Sequence, residues 1–213
     1  MKIHHMVFNP YEVNTYILSD AEKQCIIIDP ACHSPKEQDI LKAYIEDSAL
    51  TPVWLINTHG HFDHIIGNAF VCKTWQVKVA AHRNDLFLLE HAWKQGEVFG
   101  FPVEQPPLPT VFFEEGDELN MNGIHIKIYH IPGHSPGSII LYAPDEKTVF
   151  VGDVLFSGSI GRTDLPGGDF DQLIDGITRK LLTLPSSTVV CSGHGPQTSI
   201  GREMSHNPFL KGL

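Results

Sequence analysis

Basic clusters are missing from this sequence. Its 213 residues hold 15 Lys and Arg against 25 Asp and Glu, a formal net charge of −10. Without a patch of Lys and Arg there is no electrostatic footprint for a phosphate backbone, so nucleic acid is not an expected partner. No run approaches the ~18 apolar residues that a membrane span requires, and the opening Met1-Lys2-Ile3-His4-His5-Met6 has no apolar secretory core. Cys-x-x-Cys spacing is also absent. The four cysteines, Cys25, Cys32, Cys72 and Cys191, are scattered and are expected to be reduced core thiols in a reducing compartment. These absences predict a cytoplasmic protein with no membrane partner. Hydrophobic content of 42% and charged content of 19% are enough for one well-buried core.

Period and punctuation place the elements. Residues 2–8 and 13–18 alternate around Asn9-Pro10 and predict an antiparallel hairpin. The run from Gln24 to Asp29 is a buried strand that stops at Asp-Pro. Ser34-Pro35-Lys36-Glu37 is a capping box with proline at the first helical position, opening a helix to about Ser48. A strand at 53–57, a helix from about His64 to Trp75, a strand at 77–80 and a helical stretch over 84–94 closed by Gly96 follow. The stretch 97–115 carries Pro102, Pro106, Pro107 and Pro109. It is expected to be a surface crossing between two halves, about 1–96 and 116–213, with Glu114, Glu115, Asp117 and Glu118 as a solvated acidic edge. Strands at 124–130, 137–143, 148–152 and 188–192, a helix capped by Asp169 and a short helix near 200–205 complete the second half. Together they predict one α/β domain over 1–213: an αββα sandwich of two mixed sheets face to face, with helices on the outer faces.

The chemistry gathers in Thr58-His59-Gly60-His61-Phe62-Asp63-His64, three histidines and an aspartate directly after a buried strand. His59 and His61 can hold one metal, and Asp63 and His64, past the turn, a second. Imidazole with carboxylate suits zinc, iron or manganese. Other predicted strands end in further donors: Gly133-His134, Asp153, Gly193-His194-Gly195 and Asp29. Strand ends are where open sheets collect ligands, and the neighbouring glycines let the backbone turn tightly. His59, His61 and His134 then serve one metal and Asp63, His64 and His194 the other, while Asp153 bridges both. Two divalent ions roughly 3.5–4 Å apart would leave room for a bridging water. Asp63 and Asp153 are the expected catalytic carboxylates. Asp29 is expected to orient a ligand imidazole through its free N–H. His4, His5, His33, His82, His91, His125, His130 and His206 are expected to be surface or capping side chains. Ser135 and Ser138 do not sit in a nucleophile elbow.

These residues carry a resemblance. His-x-His-x-Asp-His, a distant Gly-His, a strand-Gly-Asp and a final Gly-His-Gly are similar to the metallo-β-lactamase-fold superfamily, from the first hairpin to His194. Asp153 stands in the bridging position, which the resemblance implies that zinc β-lactamases lack. The stretch from Gly158 to Asp169 and the ending Gly193-His194-Gly195-Pro196-Gln197-Thr198 through Asn207-Pro208-Phe209 resemble single-domain glyoxalase II-like thioesterases. The resemblance implies a dinuclear metal-dependent hydrolase of thioesters such as S-D-lactoylglutathione, with Arg162 contacting the substrate. The helical domain with which full-length glyoxalase II grips glutathione is not expected. Gly161-Arg162-Thr163-Asp164 is shared with persulfide dioxygenases, which use one Fe(II), so that chemistry stands as an alternative beside a lactonase or small-ester hydrolase.

Overall fold

Two six-stranded sheets form the interior in the computed structural model, which describes residues 1–211. The first runs in the order β1 (Lys2–Phe8), β2 (Val13–Ser19), β3 (Gln24–Ile28), β4 (Thr51–Ile56), β5 (Lys78–Ala81) and β6 (Val111–Phe112). Its first three strands are antiparallel and β3 to β6 are parallel. The second sheet begins with β7 (Glu118–Met121), β8 (Ile124–His130), β9 (Ile139–Ala143) and β10 (Thr148–Gly152). A small hairpin of β11 (Leu155–Phe156) and β12 (Ser159–Ile160) follows. Then β13 (Val189–Ser192) pairs parallel with β10, and β14 (Thr198–Ser199) closes the edge. Among the described residues the α-helices are α1 (Pro35–Asp47), α2 (Phe62–Ile65), α3 (Asn68–Trp75), α4 (Leu86–Glu90), α5 (Ala92–Val98), α6 (Phe170–Arg179) and α7 (Ile200–His206).

A strand points successive side chains to opposite faces, so a strand covered on both sides reads as an unbroken apolar run. Cys25-Ile26-Ile27-Ile28 and Ile139-Ile140-Leu141 are such runs. Leu18, Ile26, Ile28 and Ile56 meet Ile126, Ile128, Leu141 and Phe150 between the sheets. The intervening residues face outward. Ile17, Ile27 and Leu55 pack on Leu41, Ile45 and Val71 of α1 and α3. Ile140, Val149 and Val151 pack on Leu173 and Ile177 of α6. The result is the αββα layering, and each of these fully buried aliphatic side chains contributes about 1.5–3 kcal/mol. The capping box of α1 forms: Ser34 Oγ accepts from Glu37 N at 3.3 Å, and Glu37 Oε2 accepts from Ser34 N at 2.8 Å.

Three local expectations need correction. The helix expected over 64–75 starts earlier, at Phe62, and is broken after Ile65. Gly67 N donates to the Pro30 carbonyl at 2.9 Å, and a Cβ on Gly67 would lie 2.5 Å from that oxygen, so the β3 turn seats against the break. The helix expected over 84–94 is likewise two. It bends at His91, whose Nδ1 donates to the Phe87 carbonyl at 2.9 Å. Gly96 lies within α5 rather than after it, and the chain doubles back there through a 2.8 Å bond from Phe101 N to the Gly96 carbonyl. The Pro-rich crossing is not wholly irregular, since Val111–Phe112 pairs with β5, and the acidic edge supplies the start of β7 at Glu118. Cys25, Cys32 and Cys191 are buried, Cys72 is half-buried, and all are free thiols. Among the described residues no helix is long and apolar enough to cross a membrane.

Candidate metal centre

The end of β4 carries the His-rich loop. Thr58 fixes it, donating to Asp29 from its backbone N–H at 2.8 Å and from its hydroxyl at 2.6 Å. His61 is the N-cap of α2, so His59 and His61 lie before the helical turn while Asp63 and His64 lie on it. From the other sheet, the ends of β8, β10 and β13 bring His134, Asp153 and His194 to the same place.

Two donor clusters result. His59, His61 and His134 each offer a ring nitrogen within 4.8 Å of the others, and so do Asp63, His64 and His194 through one atom apiece. His61 Nδ1 and His134 Nε2 stand 2.9 Å apart, and His134 Nε2 and His59 Nε2 3.3 Å. Asp153 lies between the clusters. Its Oδ2 is 3.6 Å from His134 Nε2 and 3.5 Å from His194 Nε2, and its Oδ1 is 3.3 Å from His64 Nε2. Gly193 makes room for it, since a Cβ there would lie 2.3 Å from Asp153 Oδ1.

The outward nitrogens are also engaged. His64 Nδ1 meets Asp29 Oδ2 at 3.0 Å, His134 Nδ1 meets the Arg162 carbonyl at 2.8 Å, and His194 Nδ1 meets the Tyr11 carbonyl at 2.8 Å. These contacts fix ring orientation and leave the opposite nitrogen with its lone pair inward. Asp29, His59 and His64 also converge, but the Asp29 carboxylate is already occupied by Thr58 and His64.

Electrostatics suit cation binding. Burial and then the neighbouring His64 and His134 hold His59 well below the ordinary histidine range; burial and His134 bring His61 down to about 3. Both are therefore neutral donors. Burial opposes ionisation of Asp153, yet His64 and His134 outweigh it and hold that carboxyl well below its usual value. Asp153 Oδ1 is buried with no hydrogen-bond partner, and a buried carboxylate oxygen left in this way is costly unless a cation meets it. Burial opposes charge on His64 and His194, yet the Asp153 and Asp63 carboxylates hold both above the ordinary histidine range, a concentration of negative charge that a cation would meet in place of those protons. The neutral His59 and His61, the ionised Asp153 and its unpartnered oxygen fit divalent ions, with residues following four strands as the donors.

Asp85 was not anticipated from sequence. It is buried at the start of α4 and receives Gly60 N at 2.8 Å, Ser135 Oγ at 2.7 Å and Gly137 N at 2.6 Å. One carboxylate thus ties the loop of His59 and His61 to the loop of His134, while burial pushes its pKa up. An Asp at the start of a helical stretch reads as an ordinary capping residue, so only the fold exposes this role. Ser135 is fully buried and engaged with Asp85 and Ser138. His130 stacks on His82 at 3.9 Å and contacts the Pro136 carbonyl at 2.8 Å, bracing the same loop. Arg162 lies at the rim with its guanidinium forked on Asp164 at 2.7 and 2.8 Å.

The family model described as "Metallo-beta-lactamase superfamily" matches residues 8–194. The chain belongs to that superfamily. Hydroxyacylglutathione hydrolase GloC of Haemophilus influenzae is 38% identical over 99% of this chain and 98% of its own. BLEG-1, named a B3 metallo-beta-lactamase, superposes with a TM-score of 0.92 at 37% identity, covering 99% of this chain and all of that one. TTHA1623, solved in a di-iron-bound form, gives 0.88 at 38% identity over 97% of this chain and all of that one. As a member of the metallo-beta-lactamase superfamily the chain is a metal-dependent hydrolase, and its His and Asp clusters provide for a divalent metal centre.

Proposed function

We propose that the chain hydrolyses thioesters, with S-acyl glutathiones of the S-D-lactoylglutathione type as the substrate class, at a centre of two divalent ions. His59, His61 and His134 are assigned to one ion, Asp63, His64 and His194 to the other, and Asp153 to both. The observation that carries this reading is the place of Asp153 Oδ2, within 3.6 Å of His134 Nε2 and 3.5 Å of His194 Nε2: a single carboxylate oxygen reaches both clusters. The GloC relative supports glutathione as the thiol. Zinc, iron and manganese all suit the donor set, and the di-iron form of TTHA1623 supports iron beside zinc.

When bound, a pair of divalent ions supplies a water of lowered pKa and an electrophile for the carbonyl oxygen. The chain's own residues decide where that chemistry falls. Asp29 holds the ring of His64, and the carbonyls of Arg162 and Tyr11 hold His134 and His194. Burial opposes the charge of Asp63, but His64 and His194 overcome it and keep that carboxyl below its usual range. It therefore remains an acceptor, able to take a hydrogen bond from the attacking water and turn its lone pair toward the thioester carbon. The C–S bond breaks and a carboxylic acid and a thiol leave. Arg162, on the rim, would meet an anionic part of the thiol by exchanging it for Asp164.

The test is to count zinc, iron and manganese in the purified protein and to assay S-D-lactoylglutathione, with oxygen uptake on glutathione persulfide and β-lactam hydrolysis measured alongside. About two ions per chain and thioester cleavage without oxygen consumption support the reading. One iron with oxygen uptake, or β-lactam turnover with no thioester cleavage, overturns it.

A further inference from the structure

Two adjoining cavities open on the donor clusters. One, of about 500 Å³, is lined by Phe156, Ser157, Ser159, Ile160, Gly195 and Pro196. The other, of about 390 Å³, lies between α5 and the loop of Leu165 and Pro166. Both share His134, Asp153, Arg162 and His194 as their common floor. A substrate whose reacting carbonyl rests on that floor has room for one arm in each.

The two arms meet different surfaces. In the second cavity, apart from the donor residues, the lining is Tyr11, Phe62, Leu88, Val98, Phe99, Leu165 and Pro166 with Gln95 and Arg162. Its wall is a run of aromatic rings. Phe99 stacks on Phe62 with centroids 4.9 Å apart, and Phe62 meets Tyr11 edge-on at 5.3 Å. Phe62 immediately precedes Asp63, so the wall reaches the donors themselves. The wall is also anchored: Gln95 Nε2 donates to the Gly60 carbonyl at 3.1 Å and to the Leu88 carbonyl at 2.8 Å, tying α5 to the His-rich loop. Yet its apolar faces are open, with Val98 80% exposed and Phe99 43%. The single cationic side chain here is forked on Asp164. An apolar concave surface opening on a reactive centre is shaped for an apolar ligand group.

We propose that the cavity between α5 and Leu165–Pro166 is an acyl subsite, and that the chain prefers thioesters with apolar acyl groups longer than lactoyl. This rests on the thioester reading above and narrows its substrate class. The thiol arm then lies in the other cavity, where Ser157 and Ser159 offer hydroxyls to a polar carrier. Lengthening the acyl chain removes more apolar surface from water against Phe99, Val98 and Leu165, which raises kcat/KM about two- to fourfold per methylene until the cavity is full.

The experiment is a series of S-acetyl, S-butyryl, S-hexanoyl and S-octanoyl glutathione, with S-D-lactoylglutathione alongside, on the metal-loaded protein. Val98→Ser and Phe99→Ala are run on the same series. Support is a rise in kcat/KM with chain length and a hexanoyl-to-acetyl ratio that falls at least threefold in either variant. Val98 is exposed, so its serine variant keeps the fold and the test does not hinge on Phe99. Cleavage of all the thioesters with no dependence on length overturns the acyl subsite and leaves the thioester reading standing. A length dependence untouched by both variants also overturns it, because the chain is then bound elsewhere. Failure to cleave any thioester with two ions bound overturns both.

Discussion

Replacing Asp85 by alanine removes a carboxylate that ties the two histidine loops together. Three donors lose their acceptor: Gly60 N at 2.8 Å, Gly137 N at 2.6 Å and Ser135 Oγ at 2.7 Å. Ser135 can turn to Ser138 Oγ, already 2.8 Å away, but the two backbone N–H groups are buried and cannot turn. Leaving each unsatisfied costs about 1–3 kcal/mol, or about 2–6 kcal/mol for the pair. Relief of the buried charge offsets part of this, since burial already pushes the Asp85 pKa up. Asp85→Asn keeps one oxygen acceptor but turns an NH₂ toward one of the donors, so about one bond is lost and the cost is about 1–3 kcal/mol. Both changes lie within the 5–15 kcal/mol that stabilises a typical domain. Urea denaturation of the metal-free protein gives the stability and metal titration gives the affinity; both should fall in the order wild type, Asn, Ala. An alanine variant within about 0.5 kcal/mol of wild type and with unchanged affinity would refute the idea that this carboxylate joins the loops.

Other outcomes follow from named contacts. Asp153→Ala should reduce the bound metal from two ions to one by elemental analysis, and two full equivalents would count against its spanning role. Gly193→Ala should displace Asp153, because the new Cβ would stand 2.3 Å from Oδ1 and 2.6 Å from His64 Cε1; metal affinity should drop about 10- to 100-fold. Ser34→Ala should lower stability by about 1 kcal/mol in urea with activity retained, as the loss of an N-cap does. Arg162→Ala should leave the unfolding midpoint unchanged while raising KM for glutathione thioesters more than for thioesters of an uncharged thiol. Equal KM changes for both would remove Arg162 from substrate binding.

Local signals made much of this legible. Apolar runs at 24–28, 139–143 and 148–152 are continuous because those strands are covered on both faces, so both sheets could be placed. The candidate donors stood out because they lie in the segments that follow apolar strands, β4, β8, β10 and β13. Non-local events were hidden. The break after Ile65 depends on the Pro30 carbonyl, more than thirty residues earlier, and β6 is two residues too short to show a period, defined by pairing with β5. Asp85 could not be found because its partners, Gly60, Ser135 and Gly137, are brought to it only by the closed fold.

The last donor is held by the first strands. Val13 bridges to His194, Asn14 N donates to the Gly193 carbonyl at 2.7 Å, and Asn14 Nδ2 reaches the Ser192 and Gly195 carbonyls. This seam gives the centre a timetable during synthesis. His134 completes the first cluster, but His194 comes 60 positions later, about 3–12 s at ordinary elongation rates. For that interval Asp63 and His64 lack the third donor of their cluster, and β2 waits without its C-terminal partner. An ion captured early would hold one loop in place, and only the arrival of the final strand would lock the two ends of the chain together.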